Sequence, residues 1–395
     1  MLFNQINIYG WGDIEPVILA ALVSDLPVLL IGDLGSNKTD GSEAISRAML
    51  GAKIDFRAYE VPTINFDDLI GFMNPKSLAK GELDFVHTPL SIWKADAVLF
   101  DEINRANPFI QSKLHELIRR RRLLGLTTNI KILFSAVNPP ERYQSGYMDM
   151  ALASRFVCVQ VPAITAMKEA DVNQILSGHR NGHKRIDLKA VVDKARRCRI
   201  GDNEMGKVHH LCRKVIRDLA DHQILFNARQ LKMMIRLIGA GLSLRYASGL
   251  DTFCDPDSLT SYIISVIPET QGIVRANLNQ GMIKGTVRSL VSGFTLGDAI
   301  TLARNLEELC DVDVTDSLAW VSAMKQAAKY EDNPDVLKRS IAKIKSLGGK
   351  EVIENELACT LVKYLSIQFV LKTLIKEDAP ATRIYSRVKE IVASI

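Results

Sequence analysis

Short apolar runs recur along the first part of the chain. Several of them are separated by segments whose apolar residues have the spacing of a helix. The runs begin near residues 28, 54, 97, 131 and 157. Most are continuous, which is typical of strands buried on both faces, as in a parallel sheet. Stretches such as 14–23 instead place apolar residues at helical intervals. The pattern therefore predicts a parallel α/β sheet flanked by helices.

The pattern changes after Pro162. Residues 165–270 have helical periodicity and no convincing strand, and the helical pattern continues to the end of the chain. Prolines and glycines within 62–92 predict an insertion that carries a short helix and a hairpin. We therefore predict three domains: an α/β domain over 1–163, a helical domain over 164–270, and a further helical domain over 271–395 to which the sequence assigns no role.

Composition narrows the class of protein only slightly. Apolar residues make up 47% of the chain and charged residues 24%, as in soluble globular proteins, and the net charge of +5 decides little. No apolar run reaches the roughly 18 residues of a membrane span, and residues 1–5 lack the features of a secretory signal. The six cysteines are scattered without metal-ligand spacing. We therefore expect free thiols, a cytoplasmic location and no membrane span.

The turn after the first apolar run has the composition of a phosphate-binding loop. It differs from the pattern G-x-x-x-x-G-K-[ST] at one position, where asparagine replaces the second glycine. Asparagine enters the left-handed backbone region readily, so the loop conformation is still accessible. The lysine would reach the β- and γ-phosphates and the threonine would hold Mg²⁺. The predicted nucleotide-binding residues are Gly32, Asp33, Leu34, Gly35, Ser36, Asn37, Lys38 and Thr39. Alone, this segment also fits an ordinary strand–turn–helix.

Polar residues end two later apolar runs. Asp101 and Glu102 follow residues 97–100, and Asn138 follows 131–137. Catalytic groups of parallel α/β sheets lie at the carboxyl ends of strands. We expect Asp101 to act as a Mg²⁺ ligand, Glu102 to polarise an attacking water, and Asn138 to orient that water. Asn138 also fits a simpler role as the opening residue of the following proline turn.

A run of four arginines and one single arginine each leave alternatives open. A predicted helix over about 107–122 ends in Arg119–Arg122. This run could bind nucleic acid, complete a helix dipole or face a neighbouring subunit, and the lack of interleaved aromatic residues argues against nucleic acid. Arg229 lies near a helix start, against the dipole preference, which indicates either a function or a solvated side chain.

Taken together, the motifs resemble those of AAA+ ATPases and, among them, the MoxR family. The most specific match is the hexapeptide Asp101-Glu102-Ile103-Asn104-Arg105-Ala106. The insertion is similar to the one this family carries before its acidic strand. Residues 136–139 resemble sensor 1, Ser154-Arg155-Phe156 resembles the arginine-finger segment, and Asn227-Ala228-Arg229 resembles sensor 2, although the family usually has proline before that arginine.

The resemblance covers about residues 1–270 and implies a fold, an activity and partners. The implied fold is a P-loop AAA+ αβα core followed by an all-α lid. The further helical C-terminal segment after residue 270 is longer than the family's usual core, and the resemblance implies nothing about it. The activity is ATP hydrolysis with ATP and Mg²⁺, catalysed by Glu102, Asn138, Arg155 and Arg229. Such proteins form hexameric rings in which Arg155 comes from the neighbouring subunit and Arg229 couples nucleotide state to domain rotation. A protein client, with a von Willebrand factor A domain as the expected partner, follows from the same resemblance.

Two departures from the family pattern keep other functions open. Leu34 replaces the usual proline of the phosphate loop, and Asn37 replaces glycine or alanine. A nucleotide-binding scaffold with weak hydrolysis is therefore one alternative. A motor linked to nucleic acid, suggested by Arg119–Arg122, is the other.

Overall fold

The computed structural model describes residues 2–143, 145–177, 187–276 and 278–292. Nearly all of these lie in one compact unit, formed by residues 1–200 and 205–294. The strands are β1 (Val28–Ile31), β2 (Phe56–Glu60), β3 (Phe72–Met73), β4 (Phe85–Val86), β5 (Ala97–Asp101), β6 (Arg122–Leu123), β7 (Leu126–Thr127), β8 (Ile132–Val137) and β9 (Val157–Gln160). The α-helices are α1 (Glu15–Val23), α2 (Lys38–Leu50), α3 (Phe66–Ile70), α4 (Pro75–Leu78), α5 (Pro108–Arg120), α6 (Pro140–Tyr143), α7 (Met150–Ala153), α8 (Glu169–Ser177), α9 (Leu188–Arg197), α10 (Asp202–Ala220), α11 (Ala228–Ser248), α12 (Pro256–Ile264) and α13 (Gln280–Ser292).

The five predicted strands form one parallel sheet, and this prediction is confirmed. The strand order is β2-β5-β8-β1-β9. Every residue of β1 and β8 is buried, which explains their continuous apolar sequences. Because β8 separates β1 from β5, the carboxyl end of β8 lies between the ends of its two neighbours. That order decides which loops meet at this edge of the sheet.

Helices cover the sheet through amphipathic faces. In α5 the buried residues are Ile110, Leu114, Leu117 and Ile118, at the spacing of one helical face. They join the sheet residues Val98, Phe100 and Leu133 in a single apolar core.

The predicted insertion contains the expected short helix and hairpin. Helix α3 begins with a reciprocal capping box between Asn65 and Asp68. Strands β3 and β4 pair antiparallel, with Phe72 opposite Val86, and α4 lies between them.

One predicted boundary is wrong. The helix predicted over about 107–122 ends at Arg120, because Arg121 adopts a left-handed conformation with φ of 54°. Arg122 then begins the hairpin β6–β7, whose turn residues Leu124 and Gly125 have φ of 53° and 78°. The four consecutive arginines therefore do not share one helix.

The described part of residues 165–270 is helical and contains no strand, as predicted. Helix α11 packs against α1 and α9, and the amide of Cys158 in β9 donates to the Ser265 carbonyl at 2.8 Å. Helix α13 lies within the last predicted domain, and the remaining helical segments predicted there, 293–395, fall outside the described residues. The boundaries at 163 and 270 stay predictions.

Two further observations concern membrane-spanning helices and disulfides. Among the described residues, none of the helices combines the length and apolar character needed to cross a membrane. The four described cysteines, Cys158, Cys198, Cys212 and Cys254, form no disulfide with one another.

Candidate functional site

The loop between β1 and α2 adopts a conformation that exposes backbone amides at a helix N-terminus. Gly35 and Asn37 have φ of 75° and 62°, so asparagine occupies the left-handed region as its chemistry allows. The Asn37 side chain does not cap α2. Because the first amides of a helix have no carbonyl partner within it, this helix end can accept an anion.

Lys38 is buried in the curve of this loop. Its Nζ donates to the Gly32 carbonyl at 2.8 Å, the Asp33 carbonyl at 2.9 Å and Asn138 Oδ1 at 3.1 Å. Burial lowers the pKa of Lys38, while the charges of Asp101, Asp33 and Glu102 oppose that shift. Among the described residues, no carboxylate lies within ion-pair distance of Nζ. A buried cation held by neutral oxygens is suited to bind an anionic ligand.

The acidic residues at the end of β5 lie next to the loop. Thr39 Oγ1 is 3.5 Å from Asp101 Oδ2. Glu102 has φ of 51°, an uncommon conformation outside glycine, which turns the chain sharply after the strand. Its carboxylate accepts a hydrogen bond from Asn138 Nδ2 at 3.1 Å and pairs with Arg105 at 3.3 Å.

Asn138 therefore joins the phosphate loop to the acidic pair. Its amide oxygen accepts from Lys38 and its amide nitrogen donates to Glu102, both at 3.1 Å. The strand order explains this bridge, because β8 lies between β1 and β5. The structure thus brings together Lys38, Thr39, Asp101, Glu102 and Asn138 at the carboxyl edge of the sheet.

The donor set at this edge fits Mg²⁺. Thr39 and Asp101 supply adjacent hard oxygens, which are the ligands that magnesium prefers. Within the described part of the chain, no group of three His, Cys, Asp or Glu side chains is arranged to hold a metal. Magnesium in such a site is bound largely by water and substrate phosphates, so two protein oxygens suffice.

Arg155 and Arg229 lie at the opposite edge of the sheet. Val157, which begins β9, pairs with Val28, which begins β1. Arg155 comes before the start of β9, which is level with the start of β1. The phosphate loop begins after the other end of β1. The four residues of that strand therefore separate Arg155 from the loop by about 13 Å. Arg229 Nη1 donates to Ser154 Oγ at 3.3 Å. The two arginines are therefore near each other and far from the loop of the same chain.

The Arg155 side chain is half-buried and folds back onto α7. Its Nη1 donates to the Ala151 carbonyl. Its Nε is buried and has no hydrogen-bond partner among the described residues. No described carboxylate forms an ion pair with it either.

Residues 27–156 match the AAA domain of the dynein-related subfamily. The match covers four of the five strands of the sheet and every site residue at its carboxyl edge, as well as Arg155. The chain also resembles a crystal structure from Cytophaga hutchinsonii described as a "putative ATPase", with a TM-score of 0.51 and 16% identity over 74% of this chain and 93% of that one. At this identity the likeness establishes a shared fold alone. No curated protein sequence matches the chain significantly.

Two cavities adjoin the parallel sheet. One of about 650 Å³ borders the phosphate loop at Gly32 and Asp33 and extends to Asp13 and Gln271. The other, of about 800 Å³, lies at the amino edge of the sheet and is lined by Arg155 and Arg229 but by no residue of the loop. Both volumes are in the range of small-molecule sites.

Three site residues escape prediction from the sequence. Arg142 pairs with Asp33 at 2.7 Å, and the Leu34 amide donates to the Tyr143 hydroxyl at 3.3 Å, so α6 tethers the tip of the loop. Arg105 contacts both Glu102 and the Tyr143 carbonyl. Only Arg105 carries a sequence signal, since it belongs to the acidic hexapeptide. Leu34 itself is 65% exposed and packs into no core.

Proposed function

We propose that this chain is a MoxR-type AAA+ motor that hydrolyses ATP to remodel a partner protein. The observation that carries the proposal is the hydrogen-bonded line from Lys38 through Asn138 to Glu102 at the end of a phosphate loop. The AAA match over residues 27–156 supports it.

Each group at the carboxyl edge of the sheet has a role in the proposed reaction. The loop amides and Lys38 bind the triphosphate, and the adjoining cavity receives the nucleoside. Glu102 accepts a proton from the water that attacks the γ-phosphorus, the bond from that phosphorus to the β–γ bridging oxygen breaks, and ADP leaves. Asn138 holds the Glu102 carboxylate in place. Thr39 and Asp101 would hold Mg²⁺, which neutralises phosphate charge when bound.

We further propose that the complete site is shared between two subunits of a homo-hexameric ring. Arg155 and Arg229 lie together at the amino edge of the sheet, so they serve a triphosphate bound by another copy. In that arrangement Arg155 acts as the arginine finger and Arg229 as a second cation from the helical region. Charge that develops during phosphoryl transfer is stabilised by such arginines.

The client is proposed from the family resemblance. A protein partner with a von Willebrand factor A domain is expected, and the cytoplasm is the expected compartment. The alternative of a nucleic-acid motor has less support, because no aromatic residues that could stack on bases interleave the arginine run. The alternative of a weakly hydrolysing scaffold differs from our proposal only in turnover.

The proposal is tested by ATP turnover and nucleotide binding of the purified full chain with Mg²⁺. We expect turnover by the wild type and, for Glu102→Gln, retained binding with turnover lost, because the amide keeps the shape but accepts no proton. Glu60→Gln is the matched control, since Glu60 ends the neighbouring strand β2 and is exposed. Nucleotide binding without turnover by the wild type would favour the scaffold, and equal turnover by Glu102→Gln would contradict the assigned chemistry.

A further inference from the structure

The cavity at the amino edge of the sheet is strongly cationic. Ten of its lining residues are lysine or arginine and two are aspartate. Both aspartates contact one residue: Arg196 pairs with Asp25 at 2.6 Å and lies 3.8 Å from Asp193. Most of the remaining positive charge is therefore left without an acidic partner inside the cavity.

Three arginines from different parts of the chain share this cavity. Arg119 belongs to the last turn of α5, Arg155 precedes β9, and Arg229 belongs to the first turn of α11. None of them forms an ion pair with a described carboxylate. Three separate elements thus place like charges around one space, an arrangement that suits the binding of an anion.

The electrostatics of Arg155 show how closely these charges are placed. Burial lowers the pKa of Arg155, and the positive charges of Arg229 and Arg119 lower it further. Asp149 opposes the shift, but its Oδ1 already accepts a hydrogen bond from the Leu152 amide at the start of α7. The pKa of His115 is also lowered, chiefly by burial and then by Arg155. The groups facing Arg155 thus do not neutralise it.

We propose that Arg119 is a third arginine that contacts the triphosphate bound by the neighbouring subunit, beside Arg155 and Arg229. The inference rests on the proposed function and adds a residue to it. Guanidinium groups bind phosphate oxygens in bidentate geometry, and several of them can divide the charge of a γ-phosphate. Arg119 lines the cavity and is exposed, so it is accessible to a triphosphate bound by another copy.

The test compares Arg119→Gln and Arg119→Lys with Arg122→Ala. Arg122 belongs to the same run and is exposed, but it does not line the cavity, so its variant should keep wild-type turnover. Glutamine removes the charge of Arg119 and keeps much of its length. We expect Arg119→Gln to lower kcat by about tenfold or more with a smaller change in KM, because the lost contact acts mainly in the transition state. Lysine should restore part of the loss.

The outcomes separate this inference from the proposed function. If Arg155→Ala is inactive while Arg119→Gln retains wild-type kcat, the role of Arg119 is refuted and the shared site stands. A wild type without turnover would overturn both. Since Arg119 is exposed, we expect an unchanged melting temperature for its variants; a loss of kcat matched by a lowered melting temperature and not relieved by lysine would assign Arg119 a structural role instead.

Discussion

Lys38 and Asn138 are 100 residues apart in the chain, yet Lys38 Nζ donates to Asn138 Oδ1 at 3.1 Å. The nitrogen of the same amide, Nδ2, donates to Glu102 Oε1. One side chain thus contacts both the cation that would bind phosphate and the carboxylate that would accept a proton. Only a group with a donor and an acceptor can do both.

Replacing Asn138 with aspartate tests this bridge. Aspartate keeps the shape but has no N–H for Glu102 and places a second negative charge beside it. We expect ATP turnover to fall at least about tenfold, within the range for loss of one preorganised donor. Asn107→Asp is the control, because Asn107 caps α5 and aspartate is an equally good cap. Equal turnover by the two variants would mean that Asn138 only opens the proline turn.

Lys38→Ala should abolish nucleotide binding, because the loop loses the one side-chain cation that the structure places within it. Binding of a fluorescent ATP analogue measures this directly. Lys53→Ala serves as control, since Lys53 is exposed just beyond α2. An unchanged affinity of Lys38→Ala would remove the phosphate-loop assignment.

Asn37→Gly should preserve or raise nucleotide affinity. Asn37 has φ of 62°, a conformation that glycine adopts without strain. Asn37→Val is the contrasting variant, because the left-handed region costs a side-chain-bearing residue roughly 1–2 kcal/mol and a β-branched residue tolerates it least. If glycine instead destroys binding, the Asn37 side chain itself contacts phosphate.

Much of the fold follows from the sequence because local patterns decide it. The five strands of the sheet are short continuous apolar runs, and a parallel sheet buried on both faces demands them. The residues that meet at the carboxyl edge were predictable for the same reason: Lys38, Glu102 and Asn138 each follow a strand, and parallel strands end at one edge. Their catalytic roles remain predictions.

The remaining features depend on contacts that sequence patterns do not encode. Arg229 approaches Ser154 across 75 residues, and its position depends on how α11 packs against α1 and α9. The end of α5 at Arg120 results from a left-handed Arg121, which no propensity indicates. The tether of Asp33 by Arg142 joins a half-buried carboxylate to an exposed arginine, and their proximity follows from the turn after β8.

The central claim is that ATP is hydrolysed at a site completed by a second copy of the chain. Arg155→Ala should bind ATP nearly normally and hydrolyse it about 10³-fold or more slowly, as expected for an arginine finger. Lys38→Ala should also be inactive. In a mixed ring, an Arg155→Ala subunit offers an intact pocket and a Lys38→Ala subunit offers an intact finger.

The most direct measurement is therefore ATP turnover of the two inactive variants after mixing, with subunit exchange verified by differently labelled subunits. Our account predicts that the mixture regains a fraction of wild-type activity that neither variant has alone. Mixed rings that remain inactive, or an Arg155→Ala variant whose loss is explained by a lowered melting temperature, would contradict the shared site.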